Sequence, residues 1–304
     1  MTIQERIKQI SDPSKLNYNC FGEIVSRGDS FRKSSKPYII CSISGGRSSG
    51  MMAYILENCS LYDEYEKVYA FMNTGREDER TIKFLRDIQE HIIKKPIHLI
   101  EAKVYHNEKK SCGYTLKDWD SLSMNGEPFE EVIKKYGLPS IEYLHCSREL
   151  KINPINAFIK EYLGLSKYDF RQAIGIRGDE IRRYKCDPEN FIYPLIDFYI
   201  TKKTVSNFWE EPELKPFDLG NGDWEDFEGN CDFCFKKGGE NLVKMEQKHP
   251  KKLEWWEYVE DKYDNGYPIY RDHKRTKDIR NNTMGKQQQL DCLCGNTTDL
   301  FFDN

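Results

Sequence analysis

The chain has 304 residues, 38% of them hydrophobic and 32% charged, with a formal net charge of −4, which gives room for one large α/β domain and a smaller appendage. The near balance of charge argues against a general nucleic-acid or membrane-surface binder. No apolar run approaches the roughly 20 residues of a membrane span, and the polar start MTIQERIKQISDPSK carries no signal-peptide pattern, so a cytoplasmic location is expected.

Residues 1–36 read as a polar lead-in with one short helix. Residues 37–42 (PYIICS) form an apolar run that ends in Ser44-Gly45-Gly46 and is followed by a helical stretch over 48–57, the opening of a parallel α/β unit. The pattern recurs as a strand at 67–72, a helix at 78–91 and a third strand at 96–102. Residues 103–127 read as irregular, helices follow at 129–136 and 148–162, and a fourth strand spans 171–176. Tyr193-Pro194-Leu195 then leads to a helix near 203–209. After Glu210 the composition turns loop-like, and a helix at 239–249 and a basic polar tail complete the chain. Strands alternating with helices predict a doubly wound, mostly parallel Rossmann-like sheet over 37–210, with a smaller cysteine-containing segment over 211–304. Ligands of such sheets bind at the carboxyl ends of the strands.

The loop Ser44-Gly45-Gly46-Arg47-Ser48-Ser49 lies between a strand and a helix. Its glycines let backbone approach an anion, the helix start offers free N–H groups, and the serines and Arg47 add donors, so phosphate or sulfate is the expected ligand. A Gly-Gly turn with a serine cap is the plainer alternative. The loop resembles the PP-loop S-G-G-x-D-S of adenine-nucleotide alpha-hydrolases, with Ser48 in place of the acid. Three further segments resemble the sulfonucleotide reductases of that superfamily. Phe71-Met72-Asn73-Thr74-Gly75 with Glu77 is similar to F-x-D-T-G, with Asn73 replacing Asp. Gly175-Ile176-Arg177-Gly178-Asp179-Glu180 with Arg183 is similar to their arginine-bearing segment. Tyr193-Pro194-Leu195 with Trp209 is similar to their P-L…W stretch and reads as structural. The resemblance implies the PP-loop (HUP) fold. It also implies an adenine nucleotide, ATP or a phosphosulfate (PAPS or APS), held by residues 44–49, Asn73, Thr74, Gly75, Glu77, Gly175, Arg177, Asp179 and Arg183, with magnesium where the nucleotide is ATP.

Ten cysteines in a reducing compartment suggest metal or redox chemistry for some of them. Cys146 with Lys151 and Pro154 resembles the C-C-x-x-x-K-x-x-P element of cluster-bearing reductases, Ser147 replacing the second cysteine. Cys231-Asp232-Phe233-Cys234 supplies a C-x-x-C pair, and Cys292 and Cys294 stand near the end. Thiolates at these spacings bind zinc or an iron–sulfur cluster. The resemblance implies a [4Fe-4S] cluster on Cys146, Cys231, Cys234 and a fourth ligand such as Cys294, with zinc as the alternative. Cys294-Gly295 also resembles the reductases' tail element, which makes Cys294 or Cys292 a candidate nucleophile, with Arg177 beside the sulfate. Cys20, Cys41 and Cys59 read as core thiols, Trp255-Trp256 as core packing, and the basic stretch Arg271, Lys274, Arg275, Lys277 and Arg280 as a solvated face rather than a polynucleotide contact.

The first expectation is therefore a PAPS reductase-like enzyme served by a thioredoxin-like partner. The second is an ATP pyrophosphatase that adenylates and thiolates a nucleobase in tRNA or DNA, and the third a nucleotide- or metal-sensing module without turnover. A homo-oligomer is expected, and the Lys-, Ile-, Asn- and Tyr-rich composition fits a phage-like genome.

Overall fold

The computed structural model describes residues 2–12, 36–219, 223–229, 231–264, 266, 270–271, 273–282 and 284. Six strands form one sheet in the order β4-β3-β2-β1-β5-β6: β1 Tyr38–Ser42, β2 Glu66–Asn73, β3 Ile97–Lys103, β4 Gly113–Lys117, β5 Phe170–Ala173 and β6 Phe191–Ile192. Strand β1 pairs in parallel with β2 and β5, β5 pairs in parallel with β6, and β4 is antiparallel to β3. The sheet is thus mostly parallel and the fold α/β, consistent with a Rossmann-like arrangement.

The helices are α1 Ile3–Gln9, α2 Arg47–Asn58, α3 Glu79–Ile88, α4 Glu127–Tyr136, α5 His145–Ser147, α6 Asn153–Ala157, α7 Pro194–Asp197, α8 Lys202–Trp209, α9 Gly239–Lys248, α10 Pro250–Lys262 and α11 Thr276–Arg280. π-Helical turns at Arg148–Ile152 and Phe158–Tyr162 adjoin α5 and α6 and fill out the single helix expected over 148–162. No helix among the described residues is long and apolar enough to cross a membrane.

Local chemistry explains most of these elements. Ile39, Ile40 and Cys41 of β1 are all buried, the continuous apolar run of a strand covered on both faces. Helix α3 buries Thr81, Ile82, Phe84, Leu85 and Ile88, one stripe at helical spacing. Helix α4 carries Glu127 and Glu130 in its first turn and Lys134 and Lys135 in its last, matching the helix dipole, and stops at Gly137 with φ 84°. Strand β4 falls in the stretch expected to be irregular. Its residues Tyr114 to Lys117 are partly or fully exposed, so it lacks the apolar signal of a buried strand, and its pairing to β3 makes it a strand.

The chain forms two compact units that interleave in sequence: Met1–Phe71, Glu79–His98 and Phe158–Asp223 in the first, and Met72–Asp78, Leu99–Ala157 and Trp224–Asn304 in the second. In the second, a core built on Phe129, Val132, Leu150, Phe233, Phe235, Leu253 and Trp256 gathers residues from two of its three segments.

Within the first unit, Asp197 at the end of α7 is fully buried and neither carboxylate oxygen has a hydrogen-bond partner. Burial alone pushes its pKa up to about 8. The folded chain therefore keeps a proton that the unfolded chain releases, and stability falls as pH rises from about 4 to about 8. The Asp197→Asn variant is expected to lack this loss. Melting temperatures of both proteins between pH 5 and pH 8.5 should diverge in the variant's favour as pH rises, and parallel curves would contradict the assignment.

Candidate functional site

In the first unit, the turn after β1 is shaped by Gly45, whose φ of +74° and whose place 2.2 Å from Thr81 Cγ2, measured from where a Cβ would stand, leave no room for a side chain. Helix α2 starts one residue after Gly46 with no side chain capping it, which leaves its first N–H groups without a capping side chain at the positive end of the helix dipole. The serines brace one another: Ser44 Oγ donates to Ser49 Oγ at 3.2 Å, and Ser49 Oγ donates to the Gly46 carbonyl at 2.8 Å. Arg177, which follows β5, extends its guanidinium to Ser48 Oγ at 3.5 Å. The structure thus brings together two segments about 130 residues apart that were singled out separately in the sequence.

The charges around this loop are already partly matched. Arg47 forms a bidentate pair with Asp218 at 2.7 and 2.6 Å, and Trp209 Nε1 donates to the Arg47 carbonyl at 3.0 Å. Arg177 pairs with Asp179 at 3.0 Å and with Glu180 at 3.4 Å, and Arg183 with Glu180 at 2.8 Å. Partial burial pushes the Asp179 carboxyl up, but Arg177's hydrogen bond and charge outweigh it and hold the group below its ordinary value. Gly175 lies close to Ser49, its missing Cβ 3.9 Å from that residue's Cα. Arg47 and Arg177 are thus both paired cations beside the loop, of the kind that can exchange a carboxylate for another oxyanion.

In the second unit, the turn after β2 joins the cysteines. Asn73 is fully buried and its side chain is spent on the fold, donating to Glu101 at 2.7 Å and to the Ser123 carbonyl at 2.8 Å, and accepting from the Gly75 N–H at 3.1 Å. Gly75 has a φ of +79° and supplies the bend that follows. Thr74 Oγ1 donates to Glu77 at 2.9 Å and lies 3.4 Å from Cys231 Sγ, and Cys231 Sγ lies 3.8 Å from Glu77. Thr74 and Glu77, expected to position a nucleotide, thus stand against a thiol.

Cys146, Cys231 and Cys234 line one recess with Thr74, Lys151, Lys236 and an apolar wall that includes Phe129 and Trp256; its empty volume is about 380 Å³, part of it open to solvent. Burial pushes the Cys146 thiol up to about 11, Cys234 adds to this, and Lys236 and Lys151 oppose it. Burial also raises the Cys231 thiol, assisted by Glu77 and resisted by Lys151. Burial pulls Lys151 down, but the charges of Cys231, Glu77, Cys234 and Cys146 more than offset it, so the ammonium is held. The Cys146 and Cys231 thiols are therefore protonated at neutral pH, and a metal must displace those protons to bind.

Two supports hold the C-x-x-C turn, and neither was legible as functional in the sequence. Arg76 grips Asp232 through two bonds of 3.1 and 2.5 Å, its guanidinium lies 4.7 Å from the centre of the Trp255 ring, and Trp256 Nε1 donates to Asp232 at 3.1 Å. On the other side, Tyr270 donates to the Phe233 carbonyl, and Arg271 donates to the carbonyls of Phe235 and Lys237 at 2.8 and 2.7 Å. Arg271 is buried, whereas Arg275 and Arg280 of the same basic stretch pair with Asp264, Glu257 and Glu246. Much of this basic charge is therefore internally matched, against a strong polynucleotide contact.

A further acidic group, Asp78, Glu228 and His249, brings its ligand atoms within 4.8 Å of one another. Lys252 pairs with Asp78 and Lys248 with Glu228, so the group reads as an ion network rather than a cation seat. Cys41, Cys59 and Cys112 are buried, and Cys186 is exposed. Cys20, Cys292 and Cys294 lie outside the described residues.

No family model matches the chain. It is 29% identical over 207 residues to an uncharacterized nin region protein of Escherichia phage lambda, covering 67% of each chain. It is 28% identical over 149 residues to an uncharacterized protein of Methanocaldococcus jannaschii, covering 46% of this chain and 25% of that protein. The phage relative is consistent with the phage-like composition.

Proposed function

We propose that this chain has the PP-loop fold, binds an adenine nucleotide at Ser44–Ser49, and performs sulfur chemistry with a thiolate-held iron–sulfur centre on Cys146, Cys231 and Cys234. The observation that carries the reading is the anion seat, in which the uncapped start of α2 and the Arg177 guanidinium meet at Ser48. The thiol recess supports the second half: three thiols face one space alongside Lys151 and Lys236, a donor set that suits a soft metal centre. When bound, a cluster there supplies a compact, sulfur-rich charged centre.

In the reductase reading, a sulfonucleotide places its phosphosulfate over the loop, with Ser48, Gly45 and Gly46 N–H groups and Arg177 holding the oxygens. A tail thiolate, Cys294 or Cys292, attacks the sulfur as the bond from sulfur to the bridging phosphate oxygen breaks, and the nucleotide leaves with that electron pair. A thioredoxin-like dithiol then attacks the cysteine sulfur, releases sulfite, and becomes a disulfide after its second thiol resolves the mixed disulfide. The second reading, ATP-dependent thiolation of a nucleobase, is favoured by the three-cysteine set in the recess, which resembles that of PP-loop thiolases.

The test is incubation of anaerobically purified protein with ATP or with phosphoadenosine phosphosulfate. Sulfite release supports the reductase, pyrophosphate without sulfite supports the thiolase, and neither product overturns both. In either case Arg177→Ala is expected to weaken nucleotide binding about 10- to 100-fold, the scale of one charge-assisted hydrogen bond. Titration calorimetry with unchanged affinity would remove Arg177 from the seat.

A further inference from the structure

Two adjacent lysines follow Cys234, and the fold treats them differently. Lys237 turns its ammonium to the carbonyls of Phe227, at 2.9 Å, and Gly229. Lys236 is only 4% exposed, lines the recess with Cys146, Cys231 and Cys234, and its Nζ is buried without a hydrogen-bond partner. The backbone on both sides of it is fixed, because Arg271 holds the carbonyls of Phe235 and Lys237. The side chain is therefore committed to the recess by its neighbours.

A buried ammonium with no partner is costly, and folds retain one where a negative charge joins it. Three thiolates around a metal carry such charge, and of the two lysines on the recess wall, Lys151 and Lys236, the second is the more deeply buried residue. We infer that Lys236 is a positioning residue for the thiolate-bound centre, its ammonium matching the negative charge that the three thiolates bring into the recess. The inference rests on the reading of the recess as a metal centre, and it assigns the charge-matching role to a residue outside the C-x-x-C and Cys146 motifs.

Opposite signs in the two metal states separate this role from packing. Lys236→Met keeps the volume and removes the charge. Without metal, the variant is expected to melt at a higher temperature than the wild type, because an unpaired buried charge is gone. After reconstitution with iron and sulfide under anaerobic conditions, it is expected to lose iron to a chelator about tenfold faster, the scale found for residues just outside a metal's ligands. Lys236→Arg keeps the charge and should hold iron nearly as well as the wild type. Wild type and Lys236→Met that both take up iron and lose it at one rate would overturn the inference alone. A Lys236→Met protein that is less stable in both states would make the residue a packing element and overturn it too. A wild type that takes up neither iron nor zinc would overturn the metal reading of the recess, and the inference with it.

Discussion

On the proposed metal reading of the recess, the Cys231→Ser variant is expected to fold and to lose nearly all bound metal. Cys231 is half-buried, lies 3.4 Å from Thr74 Oγ1 and 3.8 Å from Glu77, and shares the recess with two further thiols. Serine is close to isosteric and keeps the contact to Thr74, so packing changes little. Its alkoxide is out of reach at neutral pH, however, and a three-thiol site becomes a two-thiol site. Iron and zinc analysis of the anaerobically purified wild type, Cys231→Ser and the exposed control Cys186→Ser decides the point. The control should match the wild type. Full metal content in Cys231→Ser would exclude this recess as the centre.

Removing Asp232 is expected to be the most destabilising single change near the site. The carboxylate is buried between Arg76 and Trp256, and burial raises its pKa more than the Arg76 charge lowers it. The pair therefore fixes the C-x-x-C turn without adding much stability, as buried ion pairs often do. Deleting one partner is different: Asp232→Ala strands the Arg76 guanidinium against Trp255 with no anion. A loss of about 3–5 kcal/mol is expected in urea unfolding. The double variant Arg76→Met with Asp232→Ala should recover a good part of it, since no unpaired charge remains. Additive losses would show that Arg76 and Asp232 do not act as a pair.

Some of the candidate site was legible because its signals are local. The Ser44–Ser49 loop announces itself through glycines between an apolar run and a helix, and the C-x-x-C pair through spacing alone. Arg76, Asp232, Tyr270 and Arg271 gave no such signal. Each is an ordinary polar residue in a polar stretch, and its importance comes from a partner distant in sequence: Arg76 from Asp232, 156 positions on, and Arg271 from the carbonyls of Phe235 and Lys237. Asn73 shows the converse. Its place after a strand suggested a ligand contact, yet Glu101 and Ser123 occupy its amide.

By itself, then, the sequence determined the alternation of strands and helices, and hence an α/β sheet, because hydrophobic periodicity and turn glycines are properties of neighbouring residues. It likewise singled out the short segments proposed to carry chemistry. Tertiary structure decided that β4 is a strand, since an exposed edge strand is defined by its partner β3 and not by its own pattern. It also decided which segments share a unit, and that Thr74 and Glu77 face Cys231. Those outcomes depend on contacts between residues far apart in the chain, which local propensity does not encode.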